Sequence, residues 1–279
     1  MPTTEGKIYL GSVLVASGAC TMDEDAVAYL TAIEGDGAGV TWAQAVAVSD
    51  FVVAQKASGA WAALKRLYIP TWGVAAANAR CLVSATSGTF TGSVTHGAGY
   101  INGDGSTGYF DVGSDPATLG CTTGSAWMGA LWTNAAGNAQ AGTYQNFSKS
   151  LILAHLTTTT PDVLRSELCG GTRRLSDPVT TDPNGIFSAN RRSGVTRHRQ
   201  LIASGLDVNV DHTQADAGTI PTNNFYWLAR NNNGTADQFF NTTRHGAMWL
   251  GTGVADSIDE TFCANLKTLW ETITGLSLP

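Results

Sequence analysis

The apolar positions of this chain change period near residue 68. Before it they recur at helical spacing. Val27, Leu30 and Ile33 follow Thr21-Met22-Asp23-Glu24, which has the capping-box spacing of a Thr and a Glu three residues later. Gly35 is a natural stop. A second box, Thr41-Trp42-Ala43-Gln44, opens a mostly apolar stripe through Ala45, Val46, Ser49, Val52, Val53 and Lys56, closed by Ser58-Gly59. Trp61, Leu64 and Leu67 predict a third short helix. Ahead of them, Lys7 to Val15 is β-branched and aromatic around a Gly11-Ser12 break, which predicts a hairpin or extended arm.

From Leu67 onward the pattern is short apolar runs separated by turn residues. Strands are predicted near 79–86, 89–94, 97–102, 107–112, 124–133, 140–147, 150–157, 164–169, 185–190, 195–203, 206–212, 224–230 and 245–251. Strands at such spacing without helices between them mean antiparallel β structure, a sandwich or barrel. Asn223 to Gly253 reads as two strands, Phe225–Ala229 and Gly246–Gly251, joined by an Asn231-Asn232-Asn233-Gly234 turn. Ser257 to Glu260 is a third capping box. The helix 257–274 carries Phe262, Leu266, Leu269, Trp270 and Ile273 on one stripe and should pack on the sandwich, with Gly275 ending it. The chain divides into an N-terminal β arm at 1–20, a helical hairpin unit at 21–68 and a sandwich at 69–279.

Composition narrows the function classes. Charged residues make up 14% of the 279 residues, against a norm of roughly 25%. The net charge of −6 argues against general nucleic-acid binding, which needs a positive field. No apolar run approaches the length of a transmembrane helix, and the Ile8–Ala16 run lacks a basic leader, so neither membrane insertion nor a cleaved signal peptide is expected. Five widely spaced cysteines with no CxxC read as buried free thiols, in keeping with synthesis in a reducing cytoplasm.

Tyr100-Ile101-Asn102-Gly103-Asp104-Gly105-Ser106-Thr107-Gly108-Tyr109, Ile186–Arg191, Phe225–Gly234 and Gly251-Thr252-Gly253 before the last helix resemble concanavalin A-like (laminin-G-like) jelly-roll domains in structural proteins of tailed bacteriophages. The Lys7–Ser12 arm and the segment from Phe51 to Trp61 look similar to the parts that precede such domains. The resemblance spans nearly the whole chain through turn and strand patterns, with no catalytic signature. It implies a mainly β, antiparallel jelly-roll sandwich and a non-catalytic virion protein made in the host bacterial cytoplasm. The role expected is a tail-fibre or tail-tip component engaging a host-surface glycan. The alternative is a head decoration or fibre protein that serves assembly alone. Partners would be other virion proteins and copies of itself, often as trimers.

The residues agree with a non-enzyme. Glu167 is the one Glu in a predicted strand and has no acidic neighbour two residues away, so the paired carboxylates of a glycosidase are missing. No GxSxG, HxH or HExxH occurs, and no spacing of His96, His155, His198, His212 and His245 singles out a base. Asp207, Asn209 and Asp211 alternate on one strand as a solvated face or as oxygen ligands to a structural divalent cation, and no other cofactor is indicated. Arg191, Arg192, Arg197 and Arg199, with Arg173 and Arg174, cluster as an anion-facing or subunit-contact patch. The blander reading is a solvated face, with Arg197 near Asp211 across a hairpin. Trp127, Trp132, Trp227 and Trp249 are expected in the core. Trp72 and Tyr109 near turns, with the polar loop Asn231, Asn232, Asn233 and Asp237, are the candidate glycan contacts by analogy with the fold class.

Overall fold

The computed structural model describes residues 3–4, 7–10, 13–17, 20–84, 86–134, 139–146, 149–156, 162–168, 175–178, 184–213, 218–237 and 240–279. Two sheets face each other. The larger runs, in spatial order, Gly205–Thr213, Val195–Ile202, Gly185–Arg192, Ser125–Asn134, Arg244–Gly251, Tyr100–Gly103 and Val94–Gly97, with Leu64–Tyr68 also paired to Arg244–Gly251. The smaller runs Leu175–Pro178, Val163–Leu168, Lys149–Leu156, Ala139–Asn146, Arg230–Asn232 and Thr235–Asp237. Pairing is antiparallel in the larger sheet; in the smaller, Ala139–Asn146 and Arg230–Asn232 are parallel. A three-stranded sheet of Tyr226–Trp227, Tyr109–Asp111 and Thr89–Thr91 lies beside them, and a separate four-stranded one spans Thr3–Thr4 to Cys20–Thr21. The expected mainly β antiparallel sandwich, with N-terminal helices and a C-terminal helix, is what forms.

The central strand Ser125–Asn134 explains the layering. Its side chains alternate between two apolar cores. Ala126, Met128, Ala130 and Trp132 face the smaller sheet and meet Phe187, Leu151, Leu153 and Leu164. Trp127 and Leu131 face outward, where helices Glu24–Gly35, Trp42–Ser58 and Asp256–Thr274 cover them with Leu30, Phe51, Phe262, Leu266 and Trp270. A strand buried on both faces reads as a nearly continuous apolar run, which is why 126–132 does. Gly129 lets the ring of its cross-strand partner Trp249 lie flat over the strand on the outer face, since a Cβ there would sit 2.0 Å from that ring.

Several sequence expectations shift in detail. Asp23, not Thr21, caps the first helix, accepting from the Asp25 N–H at 3.0 Å. The Thr41–Gln44 capping box forms as expected. The third helix is only Ala60–Ala63, and the chain then enters strand Leu64–Tyr68 of the larger sheet, so the segment 21–68 ends inside the sandwich. The expected 79–86 strand is reduced to isolated bridges at Arg80 and Cys81, just after a helical turn at Ala75–Asn78 that the Ala75–Ala77 run favours. Phe225–Ala229 does not pair with Gly246–Gly251. Leu228 at φ +68 ends the short strand Tyr226–Trp227, which joins Tyr109–Asp111 instead. The Asn-Gly turn, with Asn233 at φ +51 and Gly234 at φ +91, closes the hairpin Arg230–Asn232/Thr235–Asp237. The last helix begins at Asp256 with no side-chain cap. Cys81, Cys121 and Cys263 are buried free thiols, and Cys169 lies outside the described residues.

Candidate functional site

The described arginines of the cluster all find partners within the chain, Arg191 and Arg199 in the interior and Arg192 and Arg197 nearer the surface. Arg191 is fully buried, donating through Nε to the Thr123 carbonyl at 2.6 Å and through Nη1 to Thr196 Oγ1 at 2.9 Å. Arg197 meets Asp211 at 2.6 Å across the Val195–Ile202/Gly205–Thr213 hairpin, in the expected register, and approaches Asp256 at 3.6 Å. Arg192 lies 3.2 Å from Asp256. Arg199 is buried and donates from Nε to Asp259 Oδ2 at 3.1 Å. The first turn of the C-terminal helix and Asp211 thus supply anions to Arg192, Arg197 and Arg199, while Arg191 donates to a carbonyl and a hydroxyl. Arg173 and Arg174 lie outside the described residues.

Asp259 is the hub of that contact. Fully buried, it accepts from Trp127 Nε1 at 2.8 Å, Ser188 Oγ at 2.6 Å and Arg199. Burial pushes its carboxyl above the ordinary range, opposed by these hydrogen bonds and the Arg199 charge. A separate buried group, His245, settles as a neutral ring. Trp132 Nε1 has only a proton to give and donates to His245 Nδ1 at 3.1 Å, so Nε2–H faces Asn241 Oδ1 at 3.3 Å. Burial lowers the His245 pKa from 6.5 to about 3.

The candidate glycan residues divide. Trp72 is buried, its Nε1 donating to Tyr29 Oη at 2.8 Å, so it packs the first helix against the sandwich and offers no ring to a ligand. Tyr109 is half-buried and stacks on Tyr226 with centroids 4.6 Å apart and planes at 25°, with Phe240 at 6.4 Å. Two residues on, Asp111 Oδ2 accepts from Asn224 Nδ2 at 3.1 Å. Asn231 is buried and shapes the hairpin: its Nδ2 donates to the Asn224 carbonyl, and its Oδ1 accepts from the Gly234 N–H at 2.7 Å. Asn233 is exposed, Asn232 half-buried, and Asp237 pairs with Arg230. A hydrogen-bonded chain thus joins Tyr109's strand to the Asn loop through Asp111, Asn224 and Asn231.

Of the residues proposed as cation ligands, Asp211 is held by Arg197 across the hairpin. A different cluster converges, and sequence reasoning missed it. His198 Nδ1 lies 2.5 Å and His212 Nε2 2.7 Å from the same Asp177 Oδ2. His198 Nε2 lies 2.5 Å from Ser166 Oγ. Asp177 comes from the edge strand of the smaller sheet, His212 from the edge strand of the larger, and His198 from the strand beside it. Burial would raise the Asp177 carboxyl, but the hydrogen bonds from His198 and His212 hold it below its usual value. Burial lowers His198 against the pull of Asp177.

Ser166, His198 and Asp177 follow the order of a nucleophile, base and orienting carboxylate. Ser166 is fully buried, however, and a nucleophile must reach its substrate. Cavities of about 640 and 330 Å³ lie beside the helices, lined by residues such as Trp42, Phe51 and Leu269 or Tyr29, Arg80 and Leu82; neither borders Ser166.

No family model and no curated protein matches this chain. Among solved structures, the CBM40 module of a Ruminococcus gnavus IT-sialidase, bound to α2,3-sialyllactose, aligns at 12% identity and a TM-score of 0.37, over 53% of this chain and 85% of that one. A likeness this distant assigns no ligand.

Proposed function

We propose that the protein is a non-catalytic glycan-binding sandwich of a tailed-phage virion, made in the host cytoplasm and serving on a tail fibre or tail tip. The virion context rests on the turn and strand resemblance along the chain. The observation that supports glycan binding is the stacked Tyr109–Tyr226 pair, half-open to solvent at Tyr109, with Phe240 beside it and the Asp111–Asn224 pair two residues away. Aromatic faces next to fixed carboxylate and amide groups suit sugars, whose rings carry apolar C–H faces and hydroxyl edges. The burial of Ser166 supports the non-catalytic reading.

The test is a glycan array probed with the full chain, followed by calorimetry on any hit. Binding that falls at least tenfold in Tyr109→Ala, with an unchanged circular dichroism spectrum, supports the reading. Binding indifferent to Tyr109→Ala, or no hit among bacterial surface glycans, overturns the site. Immunogold microscopy of source particles tests the location. Gold on the tail supports the reading, gold over the head replaces it with decoration, and unlabelled particles remove it from the virion surface.

A further inference from the structure

We propose that Asp177, His198 and His212 form a divalent transition-metal site, zinc by its donor set, that ties the edge strands of the two sheets together. The residues stand on three strands, two forming a hairpin of the larger sheet and the third from the smaller sheet, and one ligand atom from each lies within 4.8 Å of the others. Two imidazole nitrogens and one carboxylate oxygen are the donors that suit zinc, whereas calcium and magnesium take oxygen alone.

The surroundings fit the assignment in two further respects. His198 is fully buried and Asp177 nearly so, which fixes their direction, while His212 keeps 22% of its side chain exposed, so that the cluster opens to water on that side. Metal-bound imidazoles usually give their other ring N–H to a neighbour that sets the tautomer. Ser166 Oγ stands 2.5 Å from His198 Nε2 and can accept it. Without an ion, the same contacts run in reverse: His198 Nδ1–H donates to Asp177, and the Ser166 hydroxyl donates to Nε2. A tetrahedral ion with ligands at 2.0–2.1 Å separates its ligand atoms by about 3.3 Å. Loading therefore asks Asp177 to draw back from the two rings by about 0.8 and 0.6 Å, relative to the 2.5 and 2.7 Å found here, and the two ring nitrogens, now within 4.8 Å, to settle at the same spacing.

The site is independent of the glycan reading, since its residues are distinct from Tyr109, Tyr226 and Asp111. The experiment uses the full chain, dialysed against EDTA and then titrated with zinc chloride under calorimetry, with calcium chloride as control and thermal melting before and after. One equivalent of zinc per chain, a rise in melting temperature on loading and no response to calcium are expected. His198→Ala risks the fold because that side chain is interior. His212→Ala, at the partly exposed edge, should keep the circular dichroism spectrum and lose at least tenfold in zinc affinity along with the thermal shift. Asp177→Asn should act in the same direction. Cobalt loading gives a second readout, the visible absorption of a tetrahedral centre, absent in His212→Ala. Failure to bind one equivalent overturns the site, as does a His212→Ala variant that binds zinc as well as the parent.

Discussion

Residues 198 and 199 are neighbours on one strand, yet they feed two different polar clusters on opposite faces of the larger sheet. Arg199 points outward beneath the C-terminal helix, to Asp259. His198 points inward toward the smaller sheet, to Asp177 and Ser166. The outer cluster pairs a permanent cation with a carboxylate and adds Trp127 and Ser188 as donors. It fastens the first turn of the C-terminal helix to the sheet and works as a lock. The inner cluster gathers two imidazoles on one carboxylate oxygen, groups that exchange protons or accept a metal at little structural change. Burial alone therefore does not separate a structural network from a chemically open one; the kinds of donor do.

The largest break in this comparison should come from Asp259→Ala. It takes the buried carboxylate from Arg199 and Trp127, leaving Arg199 to Glu260 and the Asp256 carbonyl and Trp127 to Ser188 Oγ, and chemical denaturation should show a loss of about 3 kcal/mol. Asp177→Ala in metal-free protein leaves neutral rings, and should lose about 1–3 kcal/mol in the same measurement. Equal losses would mean that the two clusters are of one kind.

Acid sharpens the contrast through His245, whose folded pKa of about 3 lies below its unfolded value of 6.5. Its contribution is complete above pH 6.5 and is lost as pH falls toward 3. Between pH 7 and 5 that amounts to about 2 kcal/mol. His245→Gln should flatten this part of the stability–pH curve, and a curve identical to the parent's would refute the assignment. Gly246→Ala places a methyl 2.4 Å from Trp270 Nε1 and should cost about 1–3 kcal/mol by crowding the helix-covered core. Arg197→Ala should change stability least, by about 0.2–1 kcal/mol, because Arg197 and Asp211 meet at the surface.

The sandwich was legible because its strands are long and its turns carry Gly, Asn and Pro. The 125–134, 139–146, 149–156 and 244–251 strands fall within a residue of their expected bounds. Local chemistry also found the Thr41 box and the Arg197–Asp211 pair. That same register places His198 opposite Val210 and His212 opposite Thr196, so the two histidines had to share a face as diagonal neighbours. Asp177 belongs to the other sheet, and no local pattern announces which edge strands will meet. The arginines misled for a related reason: the anions that the last helix offers Arg192, Arg197 and Arg199 sit some 59 to 64 residues later in the chain. Trp72 misled because turn residues near a helix are covered by it.

The position of the central strand also has a consequence for how the chain is made. Ser125–Asn134 pairs on one side with Gly185–Arg192 and on the other with Arg244–Gly251, and Trp127 reaches its partner Asp259 across 132 residues. At the usual pace of translation, that separation corresponds to roughly 7–26 seconds. Over that interval this apolar strand waits for Gly185–Arg192, then for Arg244–Gly251, and last for the helix that covers it. Such long-range closure makes folding slow and exposes a sticky intermediate. Yield in a host cell should therefore depend on chaperones that hold apolar strands apart, and should improve when synthesis is slowed by cold.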